Sequence, residues 1–155
     1  MNDKLFDAIR DQNLEMVRAI TTAHPELVNI KDQRGSTPLL LATYYGHQDI
    51  SEELLKHHPD LDAKDGSGNT ALMGVSFKGY PTLAKLLIEN GADVNAVNSN
   101  NATALIYAAT FAQEEIAKLL LENGADKAHK DDRGNTARDH AKMQGISNLI
   151  KLLEN

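Results

Sequence analysis

The chain has 155 residues, with 16 lysines and arginines against 22 aspartates and glutamates, and its formal net charge is −6. This charge argues against a nucleic-acid binder, which needs a basic surface for the phosphate backbone. Cysteine is absent, which excludes disulfides and thiolate metal sites. Because no apolar run reaches the roughly 18 residues of a membrane span and no signal-peptide pattern is visible, we expect a cytoplasmic protein without membrane contact.

A repeat with a period of 33 residues runs through the sequence. Three of its columns are Thr37, Thr70, Thr103 and Thr136; Asp32, Asp65, Asn98 and Asp131; and Leu54, Leu87, Leu120 and Leu153. Repeats of this length indicate stacked supersecondary units. The period divides the chain into an N-terminal capping unit, 1–31, three full units, 32–64, 65–97 and 98–130, and a C-terminal capping unit, 131–155.

The first unit is predicted to begin with a helix decorated by exposed charges. The charged residues are Asp3, Lys4, Asp7, Arg10 and Asp11. In the last unit, the column that starts at Leu39 ends in Arg138, and the next column ends in Asp139. A stack of repeats needs such polar substitutions in its terminal units, because their outer faces have no neighbour.

Each full unit predicts a turn followed by two short helices. In the third unit, Thr70 is expected to cap a helix over Ala71–Lys78 with its hydroxyl. Gly79 ends that helix with a positive φ, and Pro81 suits the first turn of the next one. Helices this short are unstable alone, so packing between units must hold them. In the fourth unit Ala112 replaces the glycine between the helices, which costs about 1 kcal/mol if φ is positive there.

Several segments resemble an ankyrin repeat. They are Gly35–Ala42 followed by Gly46 and His47, Leu86–Ala96, and Leu119–Asp126. The resemblance implies an all-α solenoid of five helix-turn-helix units that forms a single domain over 1–155. It also implies a non-catalytic protein–protein interaction module, monomeric and without a cofactor. One departure is that the usual histidine after Thr-Pro-Leu is replaced by Leu40, Met73, Ile106 and Asp139, where we expect apolar packing instead.

Proteins similar to this one bind partners through a concave face, built from turn tips and the exposed ends of the first helices. Carried over, the helix ends give Tyr44, Tyr45, Phe77, Lys78 and Phe111, and the turn tips give Arg34, Asn69, Asn100 and Arg133. Four of the seven aromatic residues lie at these helix ends, and we call Tyr44, Tyr45, Phe77 and Phe111 the aromatic row. Aromatic residues supply much of the energy at interface hot spots, so the row is our predicted binding site. The alternative is that the rings half-bury against neighbouring helices and only complete the core.

Two other functions fit the same sequence. One is an inhibitor or regulator that binds an enzyme or toxin and blocks its active site, and the other is a stable repeat protein whose exposed face is idle. The sign of the partner's charge stays open. The acidic second unit could attract a basic partner, whereas Arg34, Lys78 and Arg133 put positive charge on the concave face.

Catalytic and metal sites have little support in the sequence. There is no phosphate-binding glycine loop, nucleophile elbow or zinc-protease motif, so we do not expect an enzyme. The best metal candidates, His24, His57 and His58, do not clearly supply the three or four converging ligands that a site needs, and we expect no metal. The segment Leu87–Asn95 resembles sequences that asparaginyl hydroxylases modify, with Asn95 as the target. The alternative is that Asn95 simply bonds the turn.

Overall fold

The computed structural model describes residues 2–154, over which the chain forms ten α-helices in pairs, one 3₁₀ turn at Pro25–Asn29 and no strand. The predicted all-α solenoid of helix-turn-helix units is confirmed. The helices in chain order are α1 Asn2–Arg10, α2 Leu14–Ala23, α3 Pro38–Tyr44, α4 Gln48–Leu55, α5 Ala71–Lys78, α6 Pro81–Glu89, α7 Ala104–Thr110, α8 Glu114–Glu122, α9 Ala137–Gln144 and α10 Ser147–Leu152.

The predicted threonine caps begin the first helix of each of the last four units. These residues are Thr37, Thr70, Thr103 and Thr136. In each case the hydroxyl oxygen accepts the backbone N–H three residues on, at 3.2–3.3 Å. This bond satisfies one of the amides that have no partner within the helix. In the last unit the Asp139 carboxylate also accepts the N–H of Thr136 at 2.9 Å, which completes a capping box.

The turn before each of these helices is held by the acidic or amide side chain that opens it. Oδ1 of Asp65 accepts the backbone N–H groups of Ser67 at 2.9 Å and of Asn69 at 3.0 Å. The same pair of bonds recurs at Asp32, Asn98 and Asp131. One oxygen of each side chain is therefore committed to the turn, and the other polar atom remains for further contacts.

The core is continuous along the stack. α3 packs against both α1 and α5, α5 against α7, and α7 against α9, while α8 packs against α6 and α10. The leucines of one repeat column, Leu54, Leu87, Leu120 and Leu153, are at most 2% exposed. Leu40, Met73 and Ile106, which replace the usual histidine, are also buried, as predicted. The expected apolar packing is wrong for Asp139, the fourth residue of this column, which is only partly buried and whose carboxylate accepts the N–H of Thr136 instead. Each unit thus buries its apolar side against its neighbours.

The first and last units carry charged residues, as expected for the ends of the stack. Asp3, Lys4, Asp7 and Arg10 on α1, and Asp11 directly after it, are exposed, as predicted. In the last unit Arg138 is only partly buried, and its Nη2 lies 3.7 Å from Oε1 of Glu154. Across residues 2–154, no helix has both the length and the apolar character required to span a membrane.

Ala112 adopts the strained backbone conformation that its column predicts. Its φ is +60°, close to the +74°, +81° and +69° of Gly46, Gly79 and Gly145 at the equivalent positions.

Because this conformation destabilises the fold by about 1 kcal/mol when an L-residue adopts it, Ala112→Gly is expected to raise the free energy of unfolding by about that amount. Urea denaturation followed by circular dichroism measures it. Ala63→Gly, at a loop residue without positive φ, is the control and should bring no gain; an equal gain in both variants would contradict this explanation.

Candidate functional site

The four rings of the aromatic row are exposed, with exposed fractions from 37% for Phe77 to 52% for Tyr45. Tyr45 and Phe111 are the C-cap residues directly after α3 and α7, whereas Tyr44 and Phe77 lie in the last turn of their helices. Met143, at the equivalent position of the last unit, is 61% exposed. The rings therefore touch their neighbours while a large part of each ring stays exposed.

The rings form one connected series across three units. Tyr45 meets Tyr44 edge-on at 5.6 Å between centroids, and Tyr44 stacks on Phe77 at 6.4 Å. Phe77 meets Phe111 edge-on at 4.6 Å, and Phe111 stacks on Tyr107 at 6.2 Å. These separations lie in the range of favourable aromatic pairs, which stabilise each other by about 0.5–1.5 kcal/mol. The row is therefore a contiguous apolar surface rather than a set of isolated rings.

A first hollow of about 710 Å³ opens beside this series, between the second and third units. Its lining includes five residues of the predicted site, Tyr44, Tyr45, Phe77, Arg34 and Asn69. The buried side chains of Leu40 and Met73 line it as well, together with Gly74. Because Gly74 has no side chain, the hollow reaches down to the backbone of α5.

A second, smaller hollow of about 360 Å³ lies between the fourth and fifth units. The predicted residues Phe111, Asn100 and Arg133 line it, along with Tyr107 and His140. Tyr107 also lines the first hollow, so this ring stands between the two. Sequence reasoning missed Tyr107, because its column holds Leu41, Gly74 and His140 in the other units and shows no aromatic pattern.

The polar residues of the predicted site have different surroundings. Nζ of Lys78 lies 4.9 Å from the centre of the Tyr44 ring, a cation–π contact that holds this charge against the row. Oδ1 of Asn69 is used internally, since it accepts bonds from Nδ2 of Asn98 at 2.9 Å and from the Tyr107 hydroxyl at 3.3 Å. Arg34, Asn100 and Arg133 are exposed at turn tips. The fold thus brings all nine predicted residues to one face, with Asn69 already partly engaged.

A family model described as ankyrin repeats (3 copies) matches residues 5–98 and 75–155 of the chain. The two matches overlap and together run from residue 5 to the last residue. The chain belongs to the ankyrin repeat family. Ankyrin repeats generally mediate protein–protein interaction, and the family is generally not catalytic.

A mouse (Mus musculus) relative, ankyrin repeat and SAM domain-containing protein 6, is 34% identical to this ankyrin-repeat chain over 58 residues. The alignment takes in 37% of this chain and 7% of the mouse protein. The chain therefore corresponds to a small part of the length of that relative.

The rim of the second hollow contains a hydrogen-bonded pair that is unusual among the units of this ankyrin stack. Nε2 of His140 lies 2.7 Å from Oδ2 of Asp131. Burial raises the pKa of Asp131, but the His140 imidazole and the backbone N–H groups of Asn135 and Arg133 more than offset this and hold the pKa below its usual value. Asp131 is therefore an ionised acceptor that already has its partner within the chain.

A charged cluster at the second helices joins the first unit to the second. Glu53 is buried on α4, and Arg18 on α2 donates to it at 2.9 Å. The hydrogen bond from Arg18, helped by Lys56, lowers the pKa of Glu53 against the opposing effect of burial. His57 Nε2 lies 3.5 Å from the same carboxylate, so the cluster ties the first ankyrin unit to the second.

His24, His47 and Asn95 each contact other residues of the stack. His24 Nδ1 lies 3.4 Å from Glu26, and no group of three or more His, Cys, Asp or Glu converges for a metal ion within residues 2–154. His47 packs on the Tyr45 ring at 6.1 Å and makes no side-chain cap bond to its helix. Asn95 Nδ2 donates to the Gly124 carbonyl at 3.0 Å and its Oδ1 accepts from Asp126 at 2.9 Å. Asn95 therefore bonds the neighbouring turn, as the alternative interpretation predicts.

Proposed function

We propose that this chain is a non-catalytic interaction module that holds a protein partner against the aromatic row of its concave face. The observation that carries the proposal is the connected series of rings, exposed on one side and beside two hollows. Ankyrin repeats generally mediate protein–protein interaction, which supports the same conclusion. The proposal has the chain act as a monomer in the cytoplasm, without nucleic acid, in keeping with its net charge of −6.

The proposed interface has the chemical character of a hot-spot region. Tyr and Phe bury large areas with few rotatable bonds, and exposed clusters of such rings on a monomer mark interaction sites. The hollows allow partner side chains to insert between rings rather than lie on a flat surface. The charged turn tips, Arg34 and Arg133, lie at the border, where such residues orient a partner more than they add affinity.

The test is capture of partners with immobilised protein, comparing wild type with the double variant Tyr45→Ala/Phe77→Ala. Both rings are exposed, so the variant should keep the helical circular dichroism spectrum and lose at most a little thermal stability. We expect it to lose capture of the partner, because truncated aromatic hot spots each cost about 2 kcal/mol or more. Met16→Ala is the matched control, since Met16 is 46% exposed but lies on α2, away from the hollows.

The outcomes separate the candidate functions. A partner that is retained by wild type and by Met16→Ala, but not by the double variant, supports the proposed site. Equal retention by all three proteins contradicts it. If the captured partner is an enzyme or toxin, adding purified chain distinguishes the roles: loss of its activity indicates an inhibitor, and unchanged activity indicates a scaffold.

A further inference from the structure

Asp65 differs from the residues at the equivalent positions of the other units. Its Oδ1 accepts the turn amides of Ser67 and Asn69, as in every unit. Its Oδ2, however, receives no side-chain hydrogen bond and no ion pair from any residue within the range 2–154 that the structure describes. Asp65 lines the first hollow, beside the aromatic row.

The two other aspartates of the column each have a partner that is, or can become, a cation. Oδ2 of Asp32 lies 3.7 Å from Nη2 of Arg10, which reaches it from α1. Oδ2 of Asp131 lies 2.7 Å from Nε2 of His140. Where the turn residue is a carboxylate, the fold therefore supplies a basic side chain to its second oxygen, except at Asp65.

The missing partner of Asp65 can be traced to one residue. In the fourth unit the turn residue is the neutral Asn98, and its Nδ2 donates to the hydroxyl of Tyr107, nine positions later, at 3.1 Å. Nine positions after Asp65 stands Gly74, which offers no side chain. A Cβ at Gly74 would meet only Cδ1 of Tyr44, at an ordinary 3.5 Å, so the space is not taken by another part of the fold.

We infer that the first hollow receives a basic side chain, arginine or lysine, from the protein partner, with its charge on Oδ2 of Asp65. The hydrocarbon part of that side chain lies over Gly74, beside the Tyr44 and Phe77 rings. The inference rests on the proposed function and names the chemistry of the partner at one position. Charge complementarity supports it at this position, because the second carboxylate oxygen of Asp65 has no side-chain partner within residues 2–154.

Three other cations, Arg10, Arg34 and Lys78, line or border the hollow and set where the incoming charge lies, and Nζ of Lys78 already lies 4.9 Å from the centre of the Tyr44 ring. Arg10 is held by Asp7 at 3.4 Å and by Asp32 at 3.7 Å, which neutralises it. Arg34 lines the hollow at its turn tip and would repel an incoming cation. The basic side chain must therefore lie close to Asp65, and Arg34→Gln is expected to strengthen its binding.

The site can be tested without knowing the partner, using the capped peptide acetyl-Ala-Arg-Ala-amide as the probe. Nitrogen-15 NMR spectra should show saturable shifts at the amides of Asp65, Asn69 and Gly74. Asp65→Asn should weaken these shifts about fivefold or more, since it removes the charge but keeps the turn, as Asn98 does naturally. Gly74→His should also abolish them, because its imidazole would occupy the place that His140 takes beside Asp131.

Matched controls make the result decisive. Asp93 is also a turn residue, whose carboxylate accepts the backbone N–H of Asn95, but it lines neither hollow. Asp93→Asn therefore removes the same charge and should leave the peptide-induced shifts unchanged. Acetyl-Ala-Gln-Ala-amide should bind at least about fivefold more weakly than the arginine peptide. The inference is overturned if the arginine peptide shifts none of these amides, if the glutamine peptide binds equally, or if Asp65→Asn and Asp93→Asn respond alike.

Capture of the partner separates this inference from the proposed function. Loss of capture with Tyr45→Ala/Phe77→Ala and also with Asp65→Asn supports both. If only the double variant loses capture of the partner, the concave face remains the proposed binding site, but the inference that a basic side chain binds Asp65 is overturned. Retention by the double variant contradicts the proposed function, and the peptide titration then decides the fate of the Asp65 site by itself.

Discussion

Leu120→Ala is expected to lower the free energy of unfolding by about 2–5 kcal/mol, the usual range for deleting a fully buried leucine. Leu120 is 0% exposed on α8, which packs against α7 within its unit and against α6 and α10 on either side. The cavity would have neighbours on both sides, so no single unit can move to close it. Urea denaturation followed by circular dichroism gives the value.

Leu153→Ala is the matched control for this prediction. Leu153 occupies the same repeat column and is 2% exposed, but it lies in the last unit, with a neighbour on one side only. In a stack whose stability is a sum of units and interfaces, a terminal unit can open by itself, so the global loss should be clearly smaller. Equal losses at the two positions would mean that the chain unfolds as one fully cooperative body.

Gly68→Ala is expected to destabilise the fold by about 2–4 kcal/mol. Gly68 has φ +80°, a conformation that costs an L-residue about 1–2 kcal/mol. In addition, a Cβ there would lie 2.8 Å from the backbone nitrogen of Ser99, and a backbone atom cannot move aside by a side-chain rotation. That same nitrogen donates to the carbonyl of Ser67 at 3.1 Å, so relieving the clash would weaken a bond between adjacent units.

Gly134→Ala separates the two contributions. Gly134 occupies the same column with the same φ of +80°, but a Cβ there meets nothing within 4 Å. It should therefore cost only the conformational part, about 1–2 kcal/mol. The difference between the two variants, from denaturation curves under identical conditions, measures the contact between neighbouring turns. No difference would show that the neighbouring backbone moves aside freely.

The repeat made much of the fold predictable. A local rule decides each threonine cap, and the helix predicted over Ala71–Lys78 begins and ends at those residues. Left-handed φ at Gly79 and at Ala112 follows in the same way, because the conformation of a turn depends on residues close in sequence. The sequence does not predict how exposed the aromatic row is, because burial at a helix end depends on the size and direction of side chains in the neighbouring units.

The two hollows lay beyond what the sequence could show. Their shape depends on side chains of different units that are adjacent only in the stack, such as Gly74 beside Tyr44. The contact between Arg10 and Asp32 joins the first unit to the second, but it does not recur every 33 residues. No column of the repeat therefore indicates it. Tyr107 was missed for a related reason: its importance comes from Asn69 and Asn98, which its hydroxyl contacts, and not from its own column.

The hydroxyl contacts of Tyr107 have a thermodynamic consequence for binding. With its ring stacked on Phe111 and its hydroxyl fixed between Asn69 and Asn98, this side chain is held in place in the free protein. The rings linked to it have only two side-chain torsions each and lean on one another. Docking at the proposed site would therefore immobilise little that is mobile on this surface, and most of the conformational entropy lost on association would be the partner's. At such a preorganised surface, a partner that is itself rigid would lose the least conformational entropy on binding.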